Sequence, residues 1–135
     1  MTDISELLPN EPEIFRDLSL EQPNGYHASL IGLPSVQGIV FIPLQEIVYC
    51  KGESSQTSLY LTSKKRILVN RTLKRCEAAL EPRGFCRIHK SYLINLYHIR
   101  RYIKGDGRCL ELSDGSKLEV SNKHKESLFG RLNML

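Results

Sequence analysis

A chain of 135 residues with a net charge of +4 has room for one domain with a real core, and not for two of ordinary size. Its hydrophobic share of 41% and charged share of 25% place it among soluble globular domains. No apolar run approaches the ~20 residues of a spanning helix, and no cationic-then-apolar leader opens the chain, so the expected location is the cytoplasm. The charge is unevenly distributed. Residues 1–35 hold one basic side chain, Arg16, against six acidic ones, whereas residues 36–135 hold 18 Lys and Arg against nine Asp and Glu. That excess favours a polyanionic partner, because each neutralised phosphate releases condensed counterions. The plain alternative is a basic surface that is merely solvated.

Residues 1–27 read as an acidic linker or N-terminal extension. Ile4 to Leu8 has the pattern of one helical turn, and Pro9 and Pro12 break it, because proline lacks the N–H and restrains its predecessor. Pro23-Asn24-Gly25 is a second break. Residues 28–135 read as one β-rich domain. Ala28 to Leu33 is an apolar strand ended by Pro34, Gly38 to Ile42 a β-branched strand ended by Pro43, and Ile47 to Cys50 a third. Lys51 to Gln56 is polar and aperiodic, hence an exposed loop. Ser58 to Thr62 and Arg66 to Val69 form a hairpin across Ser63-Lys64-Lys65.

One helix interrupts the strands. Thr72 offers an N-cap hydroxyl, Leu73, Cys76 and Leu80 give one apolar face, and Pro82 and Gly84 stop it. Phe85 to Asn95 then packs Arg87, His89 and Lys90 among apolar residues, with Ser91 and Asn95 as neutral polar groups. This suits an anion-facing surface clamped to a core. Ile99 to Lys104, Arg108 to Ser113 and Lys117 to Ser121 form a meander, turned at Asp106-Gly107 and Asp114-Gly115. A final helix runs from Asn122 to Leu132, with Leu128, Phe129 and Leu132 on its apolar face. The fold class is therefore mainly β (α+β), with a mid-chain helix and a C-terminal helix.

No catalytic constellation is present: GxxxxGK[ST], GxSxG and HExxH are all absent, and the chain reads as no enzyme. Cys50, Cys76, Cys86 and Cys109 form no CxxC pair. Cys86 and His89 make only a lone C-x-x-H, and His27, His89, His98 and His124 lack ligand spacing. No metal or cofactor is expected, and the cysteines read as small hydrophobes. Tyr49, Tyr60, Tyr92, Tyr97 and Tyr102 do not read as the paired sheet-face aromatics of an RNA reader.

Four blocks resemble, in order and spacing, the LytTR DNA-binding domains that serve as output modules of bacterial response regulators. They are "GIVFIPLQEIVYC" (38–50), "RTLKRCEAAL" (71–80), "FCRIHKSYLIN" (85–95) and "ELSDGSKLEVSNKHKESL" (111–128). The resemblance implies a multi-stranded β domain that reads successive major grooves of duplex DNA through loops. It implies base contacts from Gln56, Thr57, Asn122 and Lys123, and backbone contacts from Ser55, Arg87, His89, Lys90, Ser91 and Lys125. Gln56 suits adenine and Thr57 a thymine methyl; Lys90 and Ser91 suit phosphate. Asn122 stands where relatives often carry Arg, and it serves equally well as a helix cap. Likewise His89 serves equally well as a structural donor to a carbonyl, and Asn95 as a turn cap. The expected partners are double-stranded DNA, as paired direct repeats bound by a dimer, and a receiver domain or sensor kinase upstream. The competing reading is a basic β-rich module for RNA or protein.

Overall fold

Several strands of this chain are apolar on both faces. Val48, Tyr49 and Cys50 are all buried, as are Phe85 with Cys86 and Leu93 with Ile94. Such strands belong to a sheet covered on both sides. The computed structural model describes residues 29–35 and 37–135, and it shows that arrangement. The expected linker 1–27, the turn at Ile4 to Leu8, His27 and a strand start at Ala28 lie outside the described residues.

The strands are β1 (Leu30–Ser35), β2 (Gly38–Pro43), β3 (Ile47–Glu53), β4 (Gln56–Leu61), β5 (Arg66–Val69), β6 (Phe85–His89), β7 (Tyr92–Asn95), β8 (Ile99–Ile103), β9 (Cys109–Leu112) and β10 (Lys117–Glu119). The helices are α1 (Leu73–Leu80) and α2 (Asn122–Gly130). A five-stranded antiparallel sheet has the order β5-β4-β3-β7-β6. The β1–β2 ribbon and α1 pack one face, burying Leu33, Val40 and Ile42 with Leu59, Ile67, Leu73, Leu80, Phe85 and Leu93. The β10-β9-β8 meander and α2 pack the other, burying Val48, Ile88 and Ile94 with Leu110, Leu112, Leu118 and Leu128. Burial pushes the thiols of Cys50, Cys76 and Cys86 upward, which suits inert apolar side chains.

Local chemistry explains most boundaries. Thr72 Oγ1 accepts from the Arg75 N–H at 3.2 Å and starts α1. Gly84, with φ of 97°, takes the left-handed turn that ends the short 3-10 segment after it. Gly107 and Gly115 have φ of 70° and 89° in the meander turns. Three expectations need correction. β1 continues through Pro34 to Ser35, because among the described residues β1 pairs with β2 alone and proline is tolerated on an edge strand. The polar stretch after Cys50 is no loop: β3 continues to Glu53, β4 begins at Gln56, and only Ser54-Ser55 turn between them, Ser54 with φ of 62°. Asn122 does not cap α2; Ser121 occupies that position and Asn122 is the first helical residue.

Candidate nucleic-acid interface

Three polar segments, separated in sequence by up to about 70 residues, meet at one end of the central sheet. The β3–β4 hairpin is the first. Lys51 pairs with Tyr92, the first residue of β7, so Gly52, Glu53 and the Ser54-Ser55 tip overhang the neighbouring strand. At ~3.3 Å per residue the overhang is roughly 10 Å. Ser54 and Ser55 are exposed and Gln56 is half-buried. Thr57 and Ser58 are fully buried, their hydroxyls donating to Arg71 O at 2.8 Å and Glu53 Oε2 at 2.6 Å. Thr57 is thus an internal strut, and its expected contact with a thymine methyl is withdrawn.

The β6–β7 turn is the second segment. The Gly52 N–H donates to Ser91 O at 2.9 Å, which ties this turn to the hairpin. Lys90 is exposed and Ser91 half-buried. The turn is held mostly by Arg87. Its Nε donates to His89 O at 2.8 Å, Nη2 to Lys90 O at 2.5 Å and Nη1 to Glu77 Oε1 of α1 at 2.7 Å. Three of its five N–H donors are engaged inside the protein, and its side chain is 19% exposed. Arg87 therefore positions the turn. His89 is also structural, in a different way from that expected: Nδ1 accepts from the Ser91 N–H at 3.0 Å. The proton of a neutral ring then sits on Nε2, 3.7 Å from Glu119 Oε1. Asn95 is buried, donating to Leu44 O and Ile47 O and accepting from Tyr97 N–H, so it braces the core as well as capping a turn.

The start of α2 is the third. The Ser121 N–H donates to Ile88 O at 2.9 Å, which docks the helix start beside the end of β6. Asn122 and Lys123 are exposed there. His124 turns inward instead, its Nδ1 2.6 Å from Ser121 Oγ. Burial lowers its pKa, with the charges of Arg87 and Lys123 acting in the same direction. Lys125 lies apart, its Nζ 5.8 Å above the Tyr102 ring and 6.0 Å above Phe129.

The surface so formed presents Ser54, Ser55, Gln56, Lys90, Ser91, Asn122 and Lys123 on a frame of internal hydrogen bonds. Lys51 stands at the same end; sequence reading missed it by placing it in a loop. Glu77 was missed because its partner lies on another element. The aromatic reading also changes: Tyr49 and Tyr60 stack with centroids 4.5 Å apart at 9°, and Tyr92 meets Tyr49 edge-on at 6.2 Å. The stack is internal. Tyr49 is only 9% exposed, and burial pushes its pKa up to about 12 against the lowering effect of its hydrogen bond with Ser116. Among the described residues, no group of three or more His, Cys, Asp or Glu side chains is placed to hold a metal ion, and no helix is long and apolar enough to cross a membrane.

A family model described as the LytTr DNA-binding domain matches residues 37–133. Among solved structures, the chain is similar to the LytTr DNA-binding domain of a protein described as a methyl-accepting/DNA response regulator from Bacillus cereus. That match has a TM-score of 0.65 and 20% identity, covering 78% of this chain and 98% of the other. No curated protein matches the chain significantly.

Proposed function

The chain belongs to the LytTR family of DNA-binding domains, and from that premise we propose that it is a sequence-specific regulator of transcription that reads duplex DNA through the three converging segments. The convergence itself carries this reading. The overhanging Ser54-Ser55 hairpin on one side, and the start of α2 docked at the end of β6 on the other, flank a turn that bears Lys90. Elements of that kind enter grooves, and a cation between them suits the phosphates that separate one groove from the next.

Ser55, Gln56, Asn122 and Lys123 are the base-edge candidates in this reading. Lys90 and Ser91 are the backbone candidates, with Lys51 added by its position; Lys125, expected among them, faces the Tyr102–Phe129 corner. Arg87 and His89 serve indirectly, by fixing the turn. The same reading makes the chain the output module of a two-component response regulator, with a receiver domain or sensor kinase acting upstream. It also predicts binding as a dimer on paired direct repeats.

Selection of bound fragments from a random duplex library, followed by a salt titration on the best site, tests the proposal. The expected result is a defined motif. For four to six phosphate contacts, log K should fall with log[salt] at a slope of about −4 to −5. A flat salt response, or displacement by single-stranded RNA as readily as by duplex DNA, overturns it in favour of an RNA- or protein-binding module.

A further inference from the structure

On the far side of α2, a hollow of about 550 Å³ opens between β8, the β8–β9 turn and the helix. Its apolar wall is Tyr102 and Phe129, whose rings meet edge-to-face at 5.1 Å and 81°, with Met134 beside them. Lys104, Arg108 and Lys125 also line it. Among the described residues none of these three cations forms an ion pair: the Lys and Arg ion pairs join Arg87 to Glu77 and Arg101 to Glu111. Lys125 has only its distant approach to the two rings. The wall also holds an unmet polar atom, since Tyr102 Oη is sealed from solvent without a hydrogen-bond partner.

We propose that this hollow binds a small anionic aromatic molecule, a ring bearing a carboxylate or sulfonate. The volume falls within the ~300–1,000 Å³ of small-molecule sites. The Tyr102–Phe129 corner offers a face and an edge to a flat ring. Three cations without an ion-pair partner among the described residues select a negative group. Nothing in this inference depends on which DNA the domain reads.

Titrating the isotope-labelled chain with 2-naphthoate, and following backbone amide shifts, tests it in the absence of DNA. Saturable shifts are expected at Tyr102, Arg108, Lys125 and Phe129, with 2-naphthamide binding several-fold more weakly. Joint replacement Lys104→Gln with Arg108→Gln should weaken naphthoate about tenfold by removing two of the three charges, with the melting temperature unchanged. Equal binding of the amide, shifts centred elsewhere, or no saturation overturns the proposal. Equal shifts from inorganic phosphate overturn the aromatic part, leaving a simple anion site. Because no DNA is present, failure here leaves the DNA reading intact, and failure of the DNA reading leaves this result standing.

Discussion

Arg87 and Glu77 form an ion pair of 2.7 Å between β6 and α1, and the same guanidinium donates to the carbonyls of His89 and Lys90. One side chain thus joins the helix to the turn that presents Lys90. The planar fork suits this task, since its N–H groups point at three acceptors at once. Glu77 in turn neutralises a charge that is mostly enclosed.

Replacing Arg87 by Ala should cost about 2–3 kcal/mol of stability, because two carbonyls and a carboxylate lose their donor. Arg87→Lys should recover little of it, as an ammonium cannot span the three acceptors. Urea unfolding gives the stability. DNA affinity at a temperature where both variants remain folded should fall for specific and scrambled duplexes alike, through disorder of the Lys90 turn. If Arg87→Ala weakens DNA binding with no loss of stability, the residue touches phosphate directly and the positioning role is wrong.

Thr57 and Gln56 are adjacent in sequence and opposite in expected effect. Thr57→Val keeps the shape but leaves Arg71 O without its donor, so stability should drop by about 1–2 kcal/mol while site preference stays unchanged. Gln56→Ala should leave stability within about 0.5 kcal/mol and reduce discrimination between the best and a scrambled duplex. A Thr57→Val protein that melts normally but loses site preference would return Thr57 to the DNA surface.

Lys90 and Lys123 are both exposed cations, and their roles separate by ratio. Lys90→Ala should weaken optimal and scrambled duplexes by the same factor and lower the salt slope by about one, since a phosphate contact carries no base information. Lys123→Ala should cost about 1–3 kcal/mol more on the optimal site than on the scrambled one. The same ratio of losses for both variants rejects this division.

Much of the fold was legible because its signals are local. Thr72, Leu73, Cys76 and Leu80 announce α1 by a cap and a period, and the glycines of the two Asp-Gly turns take the positive φ their sequence suggests. The reach of the β3–β4 hairpin beyond Cys50 and before Ser58 was not legible. Its inward residues Thr57 and Ser58 are polar and buried through hydrogen bonds, so the apolar alternation that marks a strand is missing. At the candidate site, residue types pointed to three segments that the structure brings together, and Lys90, Asn122 and Lys123 are exposed there. What distinguishes Lys90 from Arg87, three residues earlier, is a helix carboxylate ten residues upstream of Arg87 and two carbonyls, which only the tertiary structure supplies.

His124 should make the domain sensitive to mild acid. Its folded pKa lies below the ordinary 6.5, through burial first and then Arg87 and Lys123. The unfolded chain therefore binds the proton more readily. Stability should be fully present above 6.5 and fall as pH drops from there through the lower folded value. Melting temperatures between pH 8 and 5 should decline less in His124→Gln than in the parent chain. Parallel curves would show that other groups carry the acid response.

Gly52 is expected to tolerate no side chain, although it sits in a strand where alanine is ordinarily the better residue. A Cβ there would lie 3.0 Å from Leu73 Cβ and 3.2 Å from Leu73 Cδ2. Leu73 is 5% exposed at the start of α1, so it has little room to retreat. Gly52 also donates its N–H to Ser91 O, the bond that joins the β3–β4 hairpin to the β6–β7 turn. Gly52→Ala should therefore cost about 1–3 kcal/mol by overpacking, in place of the modest gain that removing a strand glycine otherwise brings. If the helix yields, the hairpin keeps its bond to Ser91 and DNA affinity survives in the folded fraction. If the hairpin yields, affinity falls for every duplex while the α1 amides keep their protection from hydrogen exchange. Leu73→Ala in the same chain removes the 3.2 Å contact with Cδ2 and keeps the 3.0 Å contact with Cβ, so it should restore hairpin position and DNA affinity only in part, at a further cost in stability. Failure of Leu73→Ala to restore affinity where Gly52→Ala has lost it would mean that the close approach to α1 does not set the hairpin's position.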